Sequence, residues 1–157
     1  MKHSQPKVIF DLKQPIQFLA LGFGSGLAPK APGTFGTLAA IPLFLLLAML
    51  TPLVYLGAVI VMSIAGIYIC GQAAKDVGVH DHPAIVWDEF IGYFITMFMV
   101  PVSWQSILMG FLLFRLFDIL KPWPISFIDK KISGGLGIML DDILAGIFSL
   151  VIMQLIF

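Results

Sequence analysis

The sequence contains few charged residues. Only 11% of its 157 residues are Asp, Glu, Lys or Arg, against about 25% in an ordinary soluble domain. Hydrophobic residues make up 59% of the chain, and its mean hydropathy is +1.01. This composition predicts an integral membrane protein with room for about one compact helical domain.

The chain also lacks an excess of either charge and a second cysteine. Nine basic residues balance nine acidic ones, so net charge does not indicate nucleic-acid binding. Cys70 can form no intrachain disulfide, and its apolar neighbours predict a buried thiol. Residues 1–17 lack the apolar core of a cleavable signal peptide. We therefore expect one domain over residues 1–157, with residues 1–14 as a polar tail.

Hydrophobic runs predict an all-α bundle with about five membrane helices. These runs cover residues 35–50, 53–71, 88–102, 104–120 and 141–157. An earlier run, residues 16–27, would extend about 18 Å as a helix, which is too short for a hydrocarbon core of about 30 Å. It is predicted to be interfacial or re-entrant. Polar loops are expected at 72–87 and 121–140.

Charged residues are confined to certain parts of the chain. All nine basic and nine acidic residues lie in residues 2–30, 72–89 or 115–142, whereas the turns at 51–52 and 101–103 have none. Because successive helices cross in opposite directions, the charged loops fall on one side and the uncharged turns on the other. The positive-inside bias assigns the charged side to the cytoplasm.

This topology brings acidic residues from three helix ends to one membrane depth. They are Asp88, Glu89, Asp118, Asp141 and Asp142. Like charges repel strongly where the dielectric constant is low, and a divalent cation would relieve that repulsion. An all-oxygen ligand set suits Mg²⁺ or Mn²⁺. The five residues are therefore candidate metal ligands.

Several of these acids also have a simpler structural interpretation. Asp88 and Asp141 could each cap a helix N-terminus, where free amides and the helix dipole favour an acid. Asp118 lies near a helix C-terminus, where the dipole disfavours an anion. It could instead pair with Arg115 or Lys121, each three residues away on the same helix face. Both interpretations stay open on the sequence alone.

Glycine-rich segments precede the first predicted membrane helix. Residues 22–26 read Gly-Phe-Gly-Ser-Gly, and residues 32–37 read Pro-Gly-Thr-Phe-Gly-Thr. Loop amides and a helix N-terminus there would favour a phosphate group. The additional side-chain donors are Ser25, Lys30, Thr34 and Thr37. Such glycines could equally serve the backbone geometry of a re-entrant turn.

A pair of histidines lies in the polar loop before Asp88. His80 and His82 flank Asp81. They could bind a metal or relay protons, since histidine titrates near neutral pH. Loop histidines are also commonly just solvated, so the sequence leaves their role open.

Four groups of motifs, in order along the chain, resemble the bacterial phosphatidylglycerophosphatase A family. The first combines Gly-Phe-Gly-Ser-Gly-Leu-Ala-Pro at 22–29 with the segment at 32–37. The others are Ala-Lys-Asp-Val-Gly-Val-His-Asp-His at 74–82 with Val-Trp-Asp-Glu-Phe-Ile-Gly at 86–92, Phe-Arg-Leu-Phe-Asp-Ile-Leu-Lys-Pro-Trp-Pro at 114–124, and Gly-Gly-Leu-Gly-Ile-Met-Leu-Asp-Asp-Ile-Leu-Ala-Gly at 134–146. The resemblance covers nearly everything from about residue 15 onward.

The resemblance implies a Mg²⁺-dependent phosphatase of the bacterial inner membrane. Its phospholipid substrate would be phosphatidylglycerophosphate, hydrolysed to phosphatidylglycerol and inorganic phosphate at a site facing the cytoplasm. Together with the acidic cluster, this predicts a metal-activated water. The residues expected to be catalytic are Asp88, Glu89, Asp118 and Asp142, with Asp141 as a further metal ligand. Those expected to bind the substrate phosphate are Ser25, Lys30, Thr34, Thr37, Arg115 and Lys121.

Two other functions are compatible with clustered carboxylates in a membrane. A Mg²⁺-dependent phosphatidyltransferase would resemble enzymes with Asp-Gly and Ala-Arg elements, which this chain lacks. A small divalent-cation transporter predicts carboxylates near the bilayer midplane and inverted repeats. Here the acids are predicted at helix ends, and no repeat is seen in the sequence. The phosphatase is therefore the favoured prediction, with no indication of an oligomeric state.

Overall fold

The computed structural model describes residues 9–80 and 82–157. Within these residues the chain forms seven α-helices and no β-strand. The helices are α1 (Pro15–Ala20), α2 (Pro32–Leu47), α3 (Pro52–Val77), α4 (Trp87–Thr96), α5 (Trp104–Leu120), α6 (Ile125–Lys131) and α7 (Gly134–Ile156). A single 3-10 turn covers Ser25–Leu27. The all-α prediction is confirmed for the described part of the chain, whereas most of the predicted polar tail (residues 1–8) and Asp81 lie outside it.

Helix α4 lies at the centre of the bundle. Nine of its ten residues are buried, and it packs against α2, α3, α5 and α7. Phe90, Tyr93 and Phe94 are at most 1% exposed. Beyond its two acids the helix is mostly apolar, as expected for a helix in a core. The two acids in the first turn of α4 are therefore carried into the protein interior.

Two glycines set the crossing of α4 and α7. A Cβ atom on Gly146 would lie 2.6 Å from the carbonyl oxygen of Gly92, and one on Gly92 would lie 2.9 Å from the carbonyl oxygen of Asp142. Only glycine permits backbones to approach this closely. Asp88 and Asp142 each lie four residues before one of these glycines, about one helical turn. The crossing therefore brings the acidic turns of the two helices together.

Two helices are long and apolar enough to cross a membrane. They are α3, with 26 residues and a mean hydropathy of 2.3, and α7, with 23 residues and a mean hydropathy of 2.1. Helix α2 has 16 residues and α5 has 17, so each is about 25 Å long. Helix α4 has only 10 residues and is about 15 Å long, half of a typical hydrocarbon core. Five membrane-spanning helices therefore remain a prediction.

Helix boundaries differ from the predicted ones where local signals compete with hydropathy. The predicted helix at 88–102 ends at Thr96, because Met99 has a left-handed backbone with φ of 56° and Pro101 disfavours helix at the residue before it. Helix α3 extends into the first part of the predicted loop at 72–87. It ends at Val77 and is capped by Gly78, whose φ is 72°. The bounds of α5 match the predicted 104–120.

Helix α7 starts much earlier than the sequence indicated. It begins at Gly134, seven residues before the predicted start at Asp141. Asp141 is therefore inside the helix, and its interpretation as an N-terminal cap is wrong. Asp88 is not a cap either: the capping position of α4 is Val86, and Asp88 lies within the first turn. A glycine-rich start is read as a loop by sequence pattern, whereas packing against α3 holds it in a helix.

Candidate functional site

Three carboxyl groups from α4 and α7 meet inside the bundle. One oxygen from each of Asp88, Glu89 and Asp142 lies within 4.8 Å of the other two. The three residues are 6%, 9% and 2% exposed. Asp142 is eight residues after Gly134, about 12 Å along the axis of α7. The three acids form a group, called here the carboxylate triad, that is largely enclosed by protein.

Each member of the carboxylate triad has an oxygen with no hydrogen-bond partner among the described residues. These atoms are Oδ1 of Asp88, Oε2 of Glu89 and Oδ2 of Asp142. Buried polar atoms are nearly always paired, and an uncompensated buried charge is strongly destabilising. Three buried carboxyl groups that meet in one place, each with an unpartnered oxygen, match the oxygen ligands that a hard divalent cation requires. The residues present could therefore hold a metal ion.

The other two predicted metal ligands are paired with basic side chains. Asp118 forms an ion pair with Arg115, and its Oδ1 lies 3.9 Å from Nζ of Lys121. The same Nζ lies 3.7 Å from Oδ2 of Asp141. The salt-bridge interpretation of Asp118 is thus confirmed. Asp118 also lies close enough to Asp142 for its charge to act directly on that carboxyl group.

Arg115 and Lys121 form the cationic side of the site. Nη1 of Arg115 lies 4.0 Å from Oε1 of Glu89, and the arginine side chain is 15% exposed. Burial lowers the pKa of Lys121, but the charges of Asp142, Asp118 and Asp141 outweigh burial and raise that pKa above its ordinary value. Lys121 therefore stays protonated at neutral pH, so an anion approaching the triad meets two cations.

The first turn of α2 lies against this site. A Cβ atom on Gly33 would lie 2.8 Å from Nη1 of Arg115 and 3.1 Å from Oε1 of Glu89. The segment at 32–37, predicted from its glycines to contribute to a phosphate site, is therefore adjacent to the acids. The sequence did not identify Gly33, Gly92 or Gly146 individually. Their signal is glycine inside a helix, where it costs about 1 kcal/mol relative to alanine and so suggests a packing role.

For four of the predicted phosphate-binding residues, no contact with the carboxylate triad is found in the described part of the chain. The hydroxyl group of Ser25 donates a hydrogen bond to the carbonyl of Gly22 at 2.8 Å, and that of Thr37 donates to the carbonyl of Gly33 at 2.8 Å. Lys30 is exposed and Thr34 is half-buried. Only Arg115 and Lys121 of the six predicted phosphate-binding residues contact the acids in the described part of the chain.

Both loop histidines accept backbone hydrogen bonds. Nδ1 of His82 accepts from the amide of Ala84 at 3.0 Å, and Nε2 of His80 accepts from the amide of Gly134 at 2.9 Å. Burial lowers the pKa of His82, which favours the neutral, accepting form. Neither histidine belongs to the carboxylate triad. Their observed contacts hold the loop that precedes α4.

Comparison with known proteins shows what this chain is similar to. A family model described as Phosphatidylglycerophosphatase A matches residues 18–157. A protein of that name from Escherichia coli (strain K12) is 50% identical over 139 residues, which cover 88% of this chain and 81% of that protein. Another of that name, from Haemophilus influenzae, is 47% identical over 154 residues, covering 97% of this chain and 94% of that protein.

More distant comparisons add a second name and no experimental structure. A Bacteroides thetaiotaomicron protein, provisionally named a phosphatidylinositol-3-phosphatase, is 34% identical over 142 residues, covering 85% of this chain and 88% of that protein. No solved structure matches significantly. The family model spans nearly all of the described helices, including every member of the carboxylate triad. The chain belongs to the phosphatidylglycerophosphatase A family.

Proposed function

We propose that this protein hydrolyses the phosphomonoester of phosphatidylglycerophosphate, giving phosphatidylglycerol and inorganic phosphate. The observation that carries the proposal is the carboxylate triad with two cations near it: Arg115 lies 4.0 Å from Oε1 of Glu89, and Lys121 lies 3.7 Å from Asp141, the residue before Asp142. Two relatives that are 50% and 47% identical are named for this activity. Metal-assisted phosphate hydrolysis needs carboxylates that hold a cation and cationic side chains that bind the phosphate, and this site has both.

In this proposal the carboxylate triad holds Mg²⁺, with Asp118 and Asp141 as neighbouring acids that join the ligand set or orient it. When bound, the ion would polarise a phosphoryl oxygen and lower the pKa of a water molecule. Magnesium prefers carboxylate oxygens and keeps several waters, which suits a site with three clustered acids and no nitrogen or sulfur ligand within the group.

The basic residues of the site bind the substrate phosphate. Arg115 presents a planar set of N–H donors that matches two phosphoryl oxygens, and Lys121 adds a compact positive charge. Both groups neutralise charge that develops on the phosphoryl oxygens in the transition state. Asp118 holds the two cations in place through its ion pairs. The attacking water must lose a proton, and we assign Asp88, Glu89, Asp118 and Asp142 as the candidate bases that accept it.

We further propose that the protein is a multi-pass protein of the bacterial inner membrane with its site facing the cytoplasm. Helices α3 and α7 support crossing of the membrane, and the segregation of charged residues supports the orientation. A phospholipid keeps its acyl chains in the bilayer while its phosphate lies at the surface. A site a few turns below the helix ends would reach that phosphate.

The test is release of inorganic phosphate from phosphatidylglycerophosphate by the purified protein in detergent. We expect phosphatidylglycerol and phosphate as products, complete loss of activity with EDTA and recovery with excess Mg²⁺. A folded protein that releases no phosphate would contradict the proposal. Release of CMP from a nucleotide-linked lipid would indicate a phosphatidyltransferase, and divalent-cation flux into vesicles without phosphate release would indicate a transporter.

A parallel assay with phosphatidylinositol 3-phosphate addresses substrate choice. That lipid is suggested by the name of the Bacteroides thetaiotaomicron relative, and it is also a lipid phosphomonoester. We expect a lower kcat/KM for it than for phosphatidylglycerophosphate, because the relatives named for the latter are more similar to this chain. The reverse order would reassign the substrate while keeping the chemistry.

A further inference from the structure

We propose that Gly33 is a positioning residue for phosphate binding. Its missing side chain lets the backbone of α2 lie directly against the guanidinium group of Arg115 and hold that group beside the triad. This inference rests on the proposed function, in which Arg115 binds the substrate phosphate. The first turn of α2 would thus act through the close packing of its backbone and not through a side chain that binds phosphate.

The requirement for glycine at this position comes from the contact and not from the backbone. Gly33 lies within the first turn of α2 and is not among the residues with positive φ. Alanine is a better helix former than glycine, so the helix itself would favour alanine there. A Cβ atom at position 33, however, would lie 2.8 Å from Nη1 and 3.1 Å from Nη2 of Arg115. Both distances are shorter than an ordinary van der Waals contact.

Arg115 is held from three sides. Asp118 pairs with it from the next turn of α5, Glu89 lies 4.0 Å from Nη1, and the backbone of α2 lies against the guanidinium group. Its Nε is buried without a hydrogen-bond partner among the residues described. Bidentate recognition of a phosphate depends on the orientation of the planar guanidinium group. A small displacement of this group would therefore weaken phosphate binding.

A side chain at position 33 would meet the flexible end of an arginine and the carboxylate of Glu89, not a rigid backbone. The fold can accommodate that collision by moving Arg115, at little cost in stability. The expected signature is thus a loss of phosphate binding in a protein that remains as stable as the wild type. A merely structural role for Gly33 predicts the opposite, a loss of stability.

The first experiment compares Gly33→Ala with Gly57→Ala, in which the new methyl group has no neighbour within 4 Å. We expect Gly33→Ala to lower kcat/KM by about ten- to a hundredfold, the range for weakening a hydrogen bond to a charged group. Inhibition by inorganic phosphate should weaken in parallel. The melting temperature in detergent should not fall. Gly57→Ala should match the wild type in kcat/KM and in inhibition by phosphate, and its melting temperature should equal or exceed that of the wild type, because alanine favours helix.

The second experiment repeats Gly33→Ala in an Arg115→Lys background. The ammonium group of lysine is narrower than a guanidinium group, so this background lacks the group that the new methyl group would displace. Gly33→Ala should therefore change kcat/KM by less than about twofold there. An equal loss in both backgrounds would show that Gly33 does not act through Arg115, and normal kcat/KM in Gly33→Ala alone would also overturn the inference.

A readout independent of turnover is the rise in melting temperature caused by inorganic phosphate in the presence of Mg²⁺. We expect this rise in the wild type and in Gly57→Ala, and a much smaller one in Gly33→Ala. An unchanged rise in Gly33→Ala would contradict the inference. A wild type that releases no phosphate from the lipid would contradict the proposed function, whereas an active wild type with an equally active Gly33→Ala would contradict only the role of Gly33.

Discussion

At the scale of single residues, Asp142 is the carboxyl group at which charge repulsion in the site is most evident. It is 2% exposed, it belongs to the carboxylate triad, and the charges of Asp118 and Asp88 act on it. A cation or a proton must relieve this repulsion for the folded protein to persist, because charges that are buried together repel strongly at low dielectric. Function and stability are therefore opposed at this position.

We expect Asp142→Asn to lower kcat/KM by about a hundredfold or more, because the ion that would stabilise charge in the transition state loses one of its ligands. In EDTA its melting temperature should equal or exceed that of the wild type, because one repelling charge is removed. Mg²⁺ should raise the melting temperature of the wild type but not of this variant.

The matched control for that variant is Asp76→Asn. Asp76 is an exposed acid on α3 that accepts a hydrogen bond from Gln72, and it lies outside the carboxylate triad. We expect this control to keep wild-type activity and the wild-type response to Mg²⁺. Substantial Mg²⁺-dependent activity in Asp142→Asn would contradict its assignment as a metal ligand.

At the scale of helices, the crossing of α4 and α7 determines whether the triad forms. The acids of α4 precede Gly92, and Asp142 precedes Gly146, by about one turn. The contact at Gly146 is with the carbonyl oxygen of Gly92, a backbone atom that cannot move without moving α4. Any side chain at position 146 must therefore push the two helices apart at this crossing.

We expect Gly146→Ala to destabilise the protein by roughly 1–3 kcal/mol, the usual cost of overpacking a core. Phosphate release should fall as well, because the carboxyl groups of α4 and α7 separate. Thermal unfolding and the phosphate-release assay measure the two effects, with Gly57→Ala as the control for adding a methyl group to a helix. Wild-type stability and activity in Gly146→Ala would show that the crossing tolerates a wider spacing.

Sequence pattern identified most helices but not which of them are buried by protein or where each begins. The bounds of α5 follow from hydropathy, because Trp104 to Leu120 is a largely apolar run between a capping serine and a polar loop. The burial of α4 does not follow, because an apolar helix facing lipid and one enclosed by protein have the same composition. Sequence pattern likewise placed the start of α7 at Asp141 and missed the glycine-rich turns before that residue.

At the scale of the whole molecule, the proposed orientation in the membrane would connect the site to the proposed substrate. The single cysteine, Cys70, is buried, so a cysteine introduced at the surface is expected to be the only thiol that reacts readily. Thr51 and Asp129 are both exposed. The predicted topology assigns Thr51 to the side opposite the cytoplasm and Asp129 to the cytoplasm.

We therefore expect a membrane-impermeant maleimide, added outside intact spheroplasts, to label Thr51→Cys but not Asp129→Cys. Permeabilised cells should show labelling of both variants, and the wild type should remain unlabelled in each case. Labelling of Asp129→Cys in intact spheroplasts would place the site on the outer side of the membrane. That result would contradict the proposed orientation without affecting the chemistry of the site.

The sequence by itself determined the helical class, the five candidate acids and the family, and it predicted the membrane character. These depend on local properties: apolar runs long enough for helices, scarce charge, and motifs read directly from consecutive residues. The prediction that acids distant in the chain lie together also needed only alternating helices. It placed acidic side chains from three helices in one region without knowledge of any contact.

Only the tertiary structure decided how those acids are divided. Asp88, Glu89 and Asp142 have unpartnered oxygens in one group, whereas Asp118 and Asp141 are paired with basic residues. Pairing depends on where helices cross, and the crossing is set by glycines whose importance lies in neighbours far away in the chain. A carboxylate in a sequence has the same chemical character whether it will meet a lysine or another carboxylate. The three-dimensional packing supplies the partner, and the partner decides whether the charge is already neutralised or is left to bind a cation.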